Sequence, residues 1–282
     1  ITRSKNYFDY DLSRWLTNHH INKKWAVWIG PLIVFPWATL KYDIFHFYYD
    51  GGLLKNFNLL KWVEFPLLKL ADKKIIFSAF GSDVRLETIT RQLGRYHAYI
   101  DFEHEEIKTK YQNDEKIRKM INYCLRYADA ALSMGDMTEY TPHSINNTFY
   151  WPLDVSKITP VYEAGNKKIK IVHATHHSRY KGTRFLLEVL DRLRKEGCDF
   201  EYVFVTNVSN EEAQRLYASA DIFAEQFIIG WHGFTAVEAM ALGKPVLCYI
   251  RKKEYLPDWA ECPIVNTNPE NLYENLKMLI DN

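Results

Sequence analysis

Hydrophobic and polar positions alternate along this chain in blocks whose period changes repeatedly. Short apolar runs closed by glycine or polar turns read as buried strands, and apolar residues recurring every three to four positions read as helices. In the first half, "YDIFHFYY" (Tyr42 to Tyr49) precedes the breaker Gly51-Gly52, and "KKIIFSAFGSD" ends in Gly81, Ser82 and Asp83. Ile117, Ile121 and Leu125 then recur at helical spacing between Asp114 and Arg126, and "ADAALSM" follows as another buried strand. Strand, turn, helix, strand is the alternation of a parallel sheet with crossover helices.

The pattern lapses in "FYWPLDVSKITPVYEAGNKK", where Pro152, Pro160 and Gly165 punctuate a polar stretch. That predicts a linker over 151–168. A cleaner series follows. "IKIVHAT" reads as a strand, and "GTRFLLEVLDRLRKEG" as a helix with Phe185, Leu186, Val189, Leu190 and Leu193 apolar and Gly197 at its end. "FEYVFVT", "NEEAQRLYASA" and "DIFAEQ" continue as strand, helix and strand; "GFTAVEAMALGKPVLCYI", "PIVNT" and "PENLYENLKMLIDN" complete the alternation. The expected fold class is α/β: two Rossmann-like doubly wound domains, residues 1–150 and 169–282, the first reading as lacking its opening strand-loop-helix.

Composition narrows the class. At 282 residues the chain exceeds what one core usually fills, which agrees with two domains. A net charge of +1 creates no global field to recruit nucleic acid. The four cysteines, Cys124, Cys198, Cys248 and Cys262, form no C-x-x-C pair, which fits a reduced, cytoplasmic chain without a zinc site or disulfide framework. "ITRSKNYFDYDLSRW" carries no signal-peptide pattern. "WAVWIGPLIVFPWATL" (Trp25 to Leu40) falls short of the roughly 20 residues of a spanning helix and contains Pro31 and Pro36. It reads as a buried or interfacial helix; with Lys23, Lys24 and Lys41 beside it, peripheral contact with the inner face of a membrane is a further reading.

Candidate chemistry sits after the strands, because ligands of open α/β sheets bind beyond the carboxyl ends. After "IKIVHA" come Thr175, His176, His177, Ser178, Arg179, Tyr180, Lys181 and Gly182, opening towards a helix. Two cations beside a helix start suit an anion. The second place is the turn Gly233, Phe234, Thr235, whose N–H groups would also face an anion, with Glu238 one turn inside the helix. A carboxylate there accepts two hydrogen bonds from a vicinal diol such as ribose. His173 reads as a core histidine, and "DFEHEE" (Asp101 to Glu106) as a solvated acidic turn rather than a metal site.

"HATHHSRYKGTRFLLEVLDRL", "NVSNEEAQRLYASADIF" and "GFTAVEAMALGKPV" resemble the nucleotide-sugar half of retaining glycosyltransferases of the two-domain GT-B fold, the large family four, over essentially all of Ile169 to Asn282. "YDIFHFYYDGGLL", "FSAFGSDVR" and "YADAALSM" resemble the acceptor half. The resemblance implies that Arg179 and Lys181 neutralise the departing diphosphate, and that Gly233, Phe234 and Thr235, with Gly182 nearby, cradle phosphate. It gives Glu238 the ribose, lets Asn207 and Val208 border the base through their backbone, and turns Gly81, Ser82 and Asp83 towards the donor sugar. Three departures stand out. The family carries two glutamates, and Gly230 occupies the place of the first, with Glu225 and Gln226 the nearest replacements. Arg179 stands closer to Lys181 than the family sets it, and the glycine-rich loop expected near the start is not in this chain.

The implied activity is sugar transfer from a UDP- or GDP-sugar to an acceptor hydroxyl with retention, in surface glycan or glycolipid synthesis. The acceptor is a saccharide, a lipid-linked group or a small molecule. No metal or other cofactor is expected, since cations supply the charge. Two rivals share the diphosphate logic: a nucleotide-sugar 2-epimerase of the same fold, and a catalytically silent GT-B binding subunit.

Overall fold

The computed structural model describes residues 23–110, 113–146, 153–162, 168–256 and 259–281. The signal-peptide reading of residues 1–15 lies outside them, as do parts of the expected linker, including Pro152 and Gly165. The described residues separate into two compact units. One holds those up to Arg85 together with Asp114–Asn146, and the other Leu86–Asn113 together with those from Asn147 onward. The expected boundary at residue 150 divides the chain in sequence order, whereas here Leu86–Asn113 leaves its sequence neighbours and packs with the second unit.

The first unit holds a parallel sheet in the order β1 (Ile44–Tyr48), β2 (Lys74–Ser78), β3 (Ala130–Ser133), β4 (Ile145–Asn146). Helices Glu64–Leu70 and Asp114–Tyr127 pack beside it, the latter burying Ile117, Ile121 and Cys124 at the spacing read from the sequence. Much of the aromatic content sits here: Phe65 meets Phe77 edge-on at 5.1 Å and stacks on Tyr123 at 5.2 Å. Such aromatic contacts add about 0.5–1.5 kcal/mol each to the burial itself. Pro31 and Pro36 do not interrupt the stretch before β1, which forms one helix, Lys23–Lys41. Its Ala38 is buried while Ile33, Trp37 and Leu40 are exposed, so it is one-sided rather than buried. Among the described residues no helix is long and apolar enough to cross a membrane.

The second unit holds a parallel sheet in the order β6-β5-β7-β8-β9, with β5 Ile169–Ala174, β6 Phe200–Val205, β7 Ile222–Gly230, β8 Val246–Ile250 and β9 Ile264–Asn266. Every pairing is parallel, so each strand needs a crossover, and the helices supply it. Helix Thr183–Lys195 buries Leu186, Leu190 and Leu193 against Phe200, Ile222, Phe227, Leu272 and Leu276. Burying each such side chain is worth roughly 1.5–3 kcal/mol. Ser209 caps helix Asn210–Ala218 by accepting the Glu212 N–H at 3.2 Å, as the S-x-x-E spelling anticipates. β7 runs past "DIFAEQ" to Gly230, with irregular register against β8 after Ala224. That carries the chain to the loop where the candidate chemistry lies.

Candidate functional site

The site is assembled at the carboxyl ends of β5 and β7. After β5, "SRYK" forms a four-residue helix, Ser178–Lys181, and Gly182 breaks it from helix Thr183–Lys195. Gly182 has φ +76, and a Cβ there would stand 3.1 Å from the Ile228 side chain. Glycine satisfies both the left-handed backbone and the close packing on β7. The turn points Lys181 and Arg179 to different partners.

Lys181 Nζ stands 2.7 Å from Glu225 Oε1, 3.3 Å from the Ala174 carbonyl and 3.5 Å from the Thr235 hydroxyl. Glu225 lies on β7 with its side chain fully buried. It also accepts from the Thr235 hydroxyl at 3.2 Å, the Gly233 N–H at 3.3 Å and the Cys248 thiol at 3.2 Å. Burial alone would push this carboxyl up; the Lys181 ammonium, with the bonds from Lys181, Cys248 and Gly233, outweighs it and holds Glu225 below the usual range. Burial, then the Glu225 charge, pushes the Cys248 thiol far up, so it is a protonated donor.

Gly233 precedes helix Phe234–Ala241, which Phe234 opens and Thr235 continues. A Cβ on Gly233 would come 2.8 Å from Glu225 Oε1, so the carboxylate dictates glycine here. Glu238 is buried one turn in, where it accepts from the Gln214 side chain. Burial raises its pKa, and the Gln214 bond opposes the rise. After β6, Asn207 takes φ +55, a conformation asparagine tolerates better than most residues, and Val208 follows it into the Ser209 cap.

Arg179 is not part of the Glu225 cluster. Its guanidinium grips the Glu106 carboxylate at 2.6 and 2.9 Å, also donates to the Asp101 carbonyl, and lies 4.0 Å over the Phe102 ring. Asp101 in turn holds Arg184 at 2.8 Å. The stretch read as a solvated acidic turn is therefore a strap across Arg179 and Arg184. His173 is the core histidine expected, fully buried between the Ala224 carbonyl and the Thr183 hydroxyl, each at 2.7 Å.

Gly81, Ser82 and Asp83 belong to the first unit, at the carboxyl end of β2. Asp83 accepts the N–H groups of Gly81 at 2.7 Å, Phe80 at 3.0 Å and Tyr49 at 3.2 Å, so its carboxylate ties the ends of β1 and β2 together. Gly81, at φ +141, needs glycine's freedom, and Ser82 is exposed.

Gly230 explains its own departure from the two-glutamate pattern. It closes β7 at φ +101, and a Cβ would come 2.5 Å from the Arg251 guanidinium carbon. Arg251 is fixed there by donating to the Ile229 carbonyl at 2.6 Å. A glutamate at 230 would be strained and blocked. Sequence reading offered Glu225 as a replacement without its partners and missed Gln214 altogether; a carboxylate in the apolar run "DIFAEQFII" was the available signal for the first.

Two parallel-sheet α/β units with a polar cluster at strand ends define the class. No protein-family model matches the chain, and no curated protein matches it. Among solved structures it is similar to sucrose-phosphate synthase from Thermosynechococcus elongatus, with TM-score 0.56, 14% identity, and 93% of this chain and 71% of that one covered. A protein assigned as UDP-N-acetylglucosamine 2-epimerase from Listeria monocytogenes gives TM-score 0.43, 13% identity, and 91% and 69% coverage. At such identities the likeness speaks to fold alone. The chain has an α/β, Rossmann-like fold of the GT-B type.

Proposed function

We propose that the chain transfers a sugar from a nucleoside-diphosphate sugar, UDP- or GDP-linked, to an acceptor hydroxyl with the anomeric configuration retained. The observation that carries this reading is the convergence of Lys181, Gly233 and Thr235 at the end of β7, with Glu238 one turn into the helix they open. The Lys181 ammonium is held tightly by Glu225 at 2.7 Å, and its longer bonds, to the Ala174 carbonyl at 3.3 Å and the Thr235 hydroxyl at 3.5 Å, are the ones an oxyanion would replace. The start of helix Phe234–Ala241 adds its N–H groups and dipole. Glu238 suits the ribose hydroxyls, and the backbone at Asn207 and Val208 the base.

As the bond from the anomeric carbon to phosphate oxygen breaks, its electron pair goes to the diphosphate, and these donors stabilise the growing charge. The acceptor oxygen bonds the anomeric carbon on the same face, and its proton passes to the departing phosphate oxygen. The reading assigns no metal or other cofactor. It assigns the acceptor, a saccharide, lipid-linked group or small molecule, to the first unit, and the work to glycan or glycolipid synthesis in the cytoplasm. The exposed Ile33, Trp37 and Leu40 suit peripheral contact with a membrane.

A thermal-shift panel of UDP- and GDP-sugars, followed by assays of donor hydrolysis and transfer, tests this. Bound donor raises stability by mass action. Lys181→Ala is expected to melt lower, because it strands the buried Glu225 carboxylate, and the folded variant to lose roughly 100- to 1000-fold in turnover, the typical effect of removing one oxyanion donor. Near-normal turnover in that variant removes Lys181 from the mechanism. A second reading, a silent binding subunit, is favoured by the engagement of Arg179 with Glu106. It predicts a thermal shift without turnover, whereas epimerised donor formed without acceptor would mark a 2-epimerase.

A further inference from the structure

Glu225 does more than replace a missing residue of a motif. Its four donors come from three separate segments: Lys181 from the helix after β5, Gly233 and Thr235 from the stretch after β7, and Cys248 from β8. With its side chain fully buried, it is enclosed by these protein donors. A buried carboxylate is an expensive way to fill a strand position, because apolar residues of similar volume often stabilise as well or better. A charge here is useful for what it holds. Lys181 has a side chain only 17% exposed, and Glu225 offers that ammonium its counter-charge. The same carboxylate approaches the backbone so closely that residue 233 has no room for a Cβ.

We infer that Glu225 is the positioning residue of the diphosphate seat, fixing the Lys181 ammonium and the Gly233–Thr235 turn in one arrangement without touching the ligand. This rests on the reading of Lys181, Gly233 and Thr235 as that seat. Glu225 contacts no sugar hydroxyl, because a carboxylate enclosed by four protein donors has no face left for one. Glu225 acts through Lys181, so its effect belongs to phosphate recognition and not to the nucleoside.

The test is calorimetric binding of UDP, GDP, uridine and guanosine to the whole chain and to Glu225→Gln, Lys181→Gln and the double variant. Glu225→Gln keeps the volume and one acceptor oxygen and removes the charge. The expected result is a loss of about tenfold in diphosphate affinity with nucleoside affinity unchanged, and no further loss when Glu225→Gln is added to Lys181→Gln. Nucleotide affinity within twofold of wild type in Glu225→Gln overturns the inference while leaving the seat in place. So does an equal loss for nucleoside and diphosphate, or a tenfold further loss in the double variant. If the wild-type chain binds neither UDP nor GDP, the seat fails and the inference with it. Should Glu225→Gln not fold, melting temperature decides. Lys181→Gln strands a buried carboxylate and should melt below the double variant, in which the pair is neutral; the reverse order overturns the inference.

Discussion

Gln214 donates a hydrogen bond to Glu238 and so joins helix Asn210–Ala218 to helix Phe234–Ala241 through a buried carboxylate. Burial raises the Glu238 pKa above its ordinary 4.5, and the Gln214 bond restrains the rise. If Glu238 holds the ribose as proposed, its carboxylate form is the acceptor of both hydroxyls, so nucleoside affinity should climb as pH rises from about 4.5 through the raised value. Between those two values the folded chain holds a proton that the unfolded chain has lost, so stability falls over the same window. Isothermal titration of uridine and guanosine from pH 5 to 8 checks the first effect, and using nucleosides avoids titration of the phosphate. Gln214→Leu should move the climb to higher pH. A flat profile would dissociate Glu238 from ribose.

The Arg179–Glu106 pair makes a separate prediction. Its side chains are 47% and 23% exposed, so solvent screens it and its contribution to stability is about 0.5–1 kcal/mol at most. Glu106→Gln should therefore leave the melting temperature nearly unchanged. If Arg179 serves the diphosphate once released, UDP affinity should rise roughly two- to fivefold, the equilibrium equivalent of the lost pair. The gain should shrink as salt increases. Unchanged affinity in this variant would leave Arg179 as an anchor for the Leu86–Asn113 strap.

These two contacts mark where the sequence stopped being legible. The periodicity of the second unit delivered its strands and helices because each buries one face against the same parallel sheet, as Leu186, Leu190 and Leu193 do. Gly182, with its left-handed backbone against Ile228, and Gly233, against the Glu225 carboxylate, are glycine for reasons of close contact that the periodicity did not show. Period says nothing about which charges meet across 44 residues, as Lys181 and Glu225 do, or 73, as Arg179 and Glu106 do. It also could not show that Leu86–Asn113 joins the second unit, because Tyr99, Phe102 and Ile107 gather around Tyr180 through tertiary contact alone. The prolines misled for a different reason: helix Lys23–Lys41 absorbs both within one run.

Glu64 should be the most sensitive polar position in the first unit. Fully buried, it accepts the Leu53 N–H at 2.7 Å and the Leu54 N–H at 2.8 Å, closing the loop after β1. Glu64→Ala strands both donors, at about 1–3 kcal/mol each. Gly52→Ala should cost about 1–3 kcal/mol, because a Cβ there would overlap the same carboxylate. Urea unfolding measures both. Because Gly52 and Glu64 share one contact, the double variant should lose less than the sum of the single losses.

His173 governs the acid side of stability in the second unit. Its Nδ1 faces the Ala224 carbonyl and must carry the proton, so Nε2 accepts from the Thr183 hydroxyl and the ring is neutral. Burial lowers its pKa to about 4, against an ordinary 6.5. Its contribution is fully present above pH 6.5, where the folded and unfolded rings are both neutral, and is lost as pH falls through the window down to about 4. A shift of that size corresponds to roughly 3 kcal/mol. His173→Gln can still donate to one partner and accept from the other but does not titrate. The difference in unfolding free energy between wild type and variant should therefore narrow or reverse as pH drops from 7 to 4. Parallel pH profiles for the two proteins would show that the ring stays uncharged in both states or charges equally in both, and would separate His173 from acid unfolding.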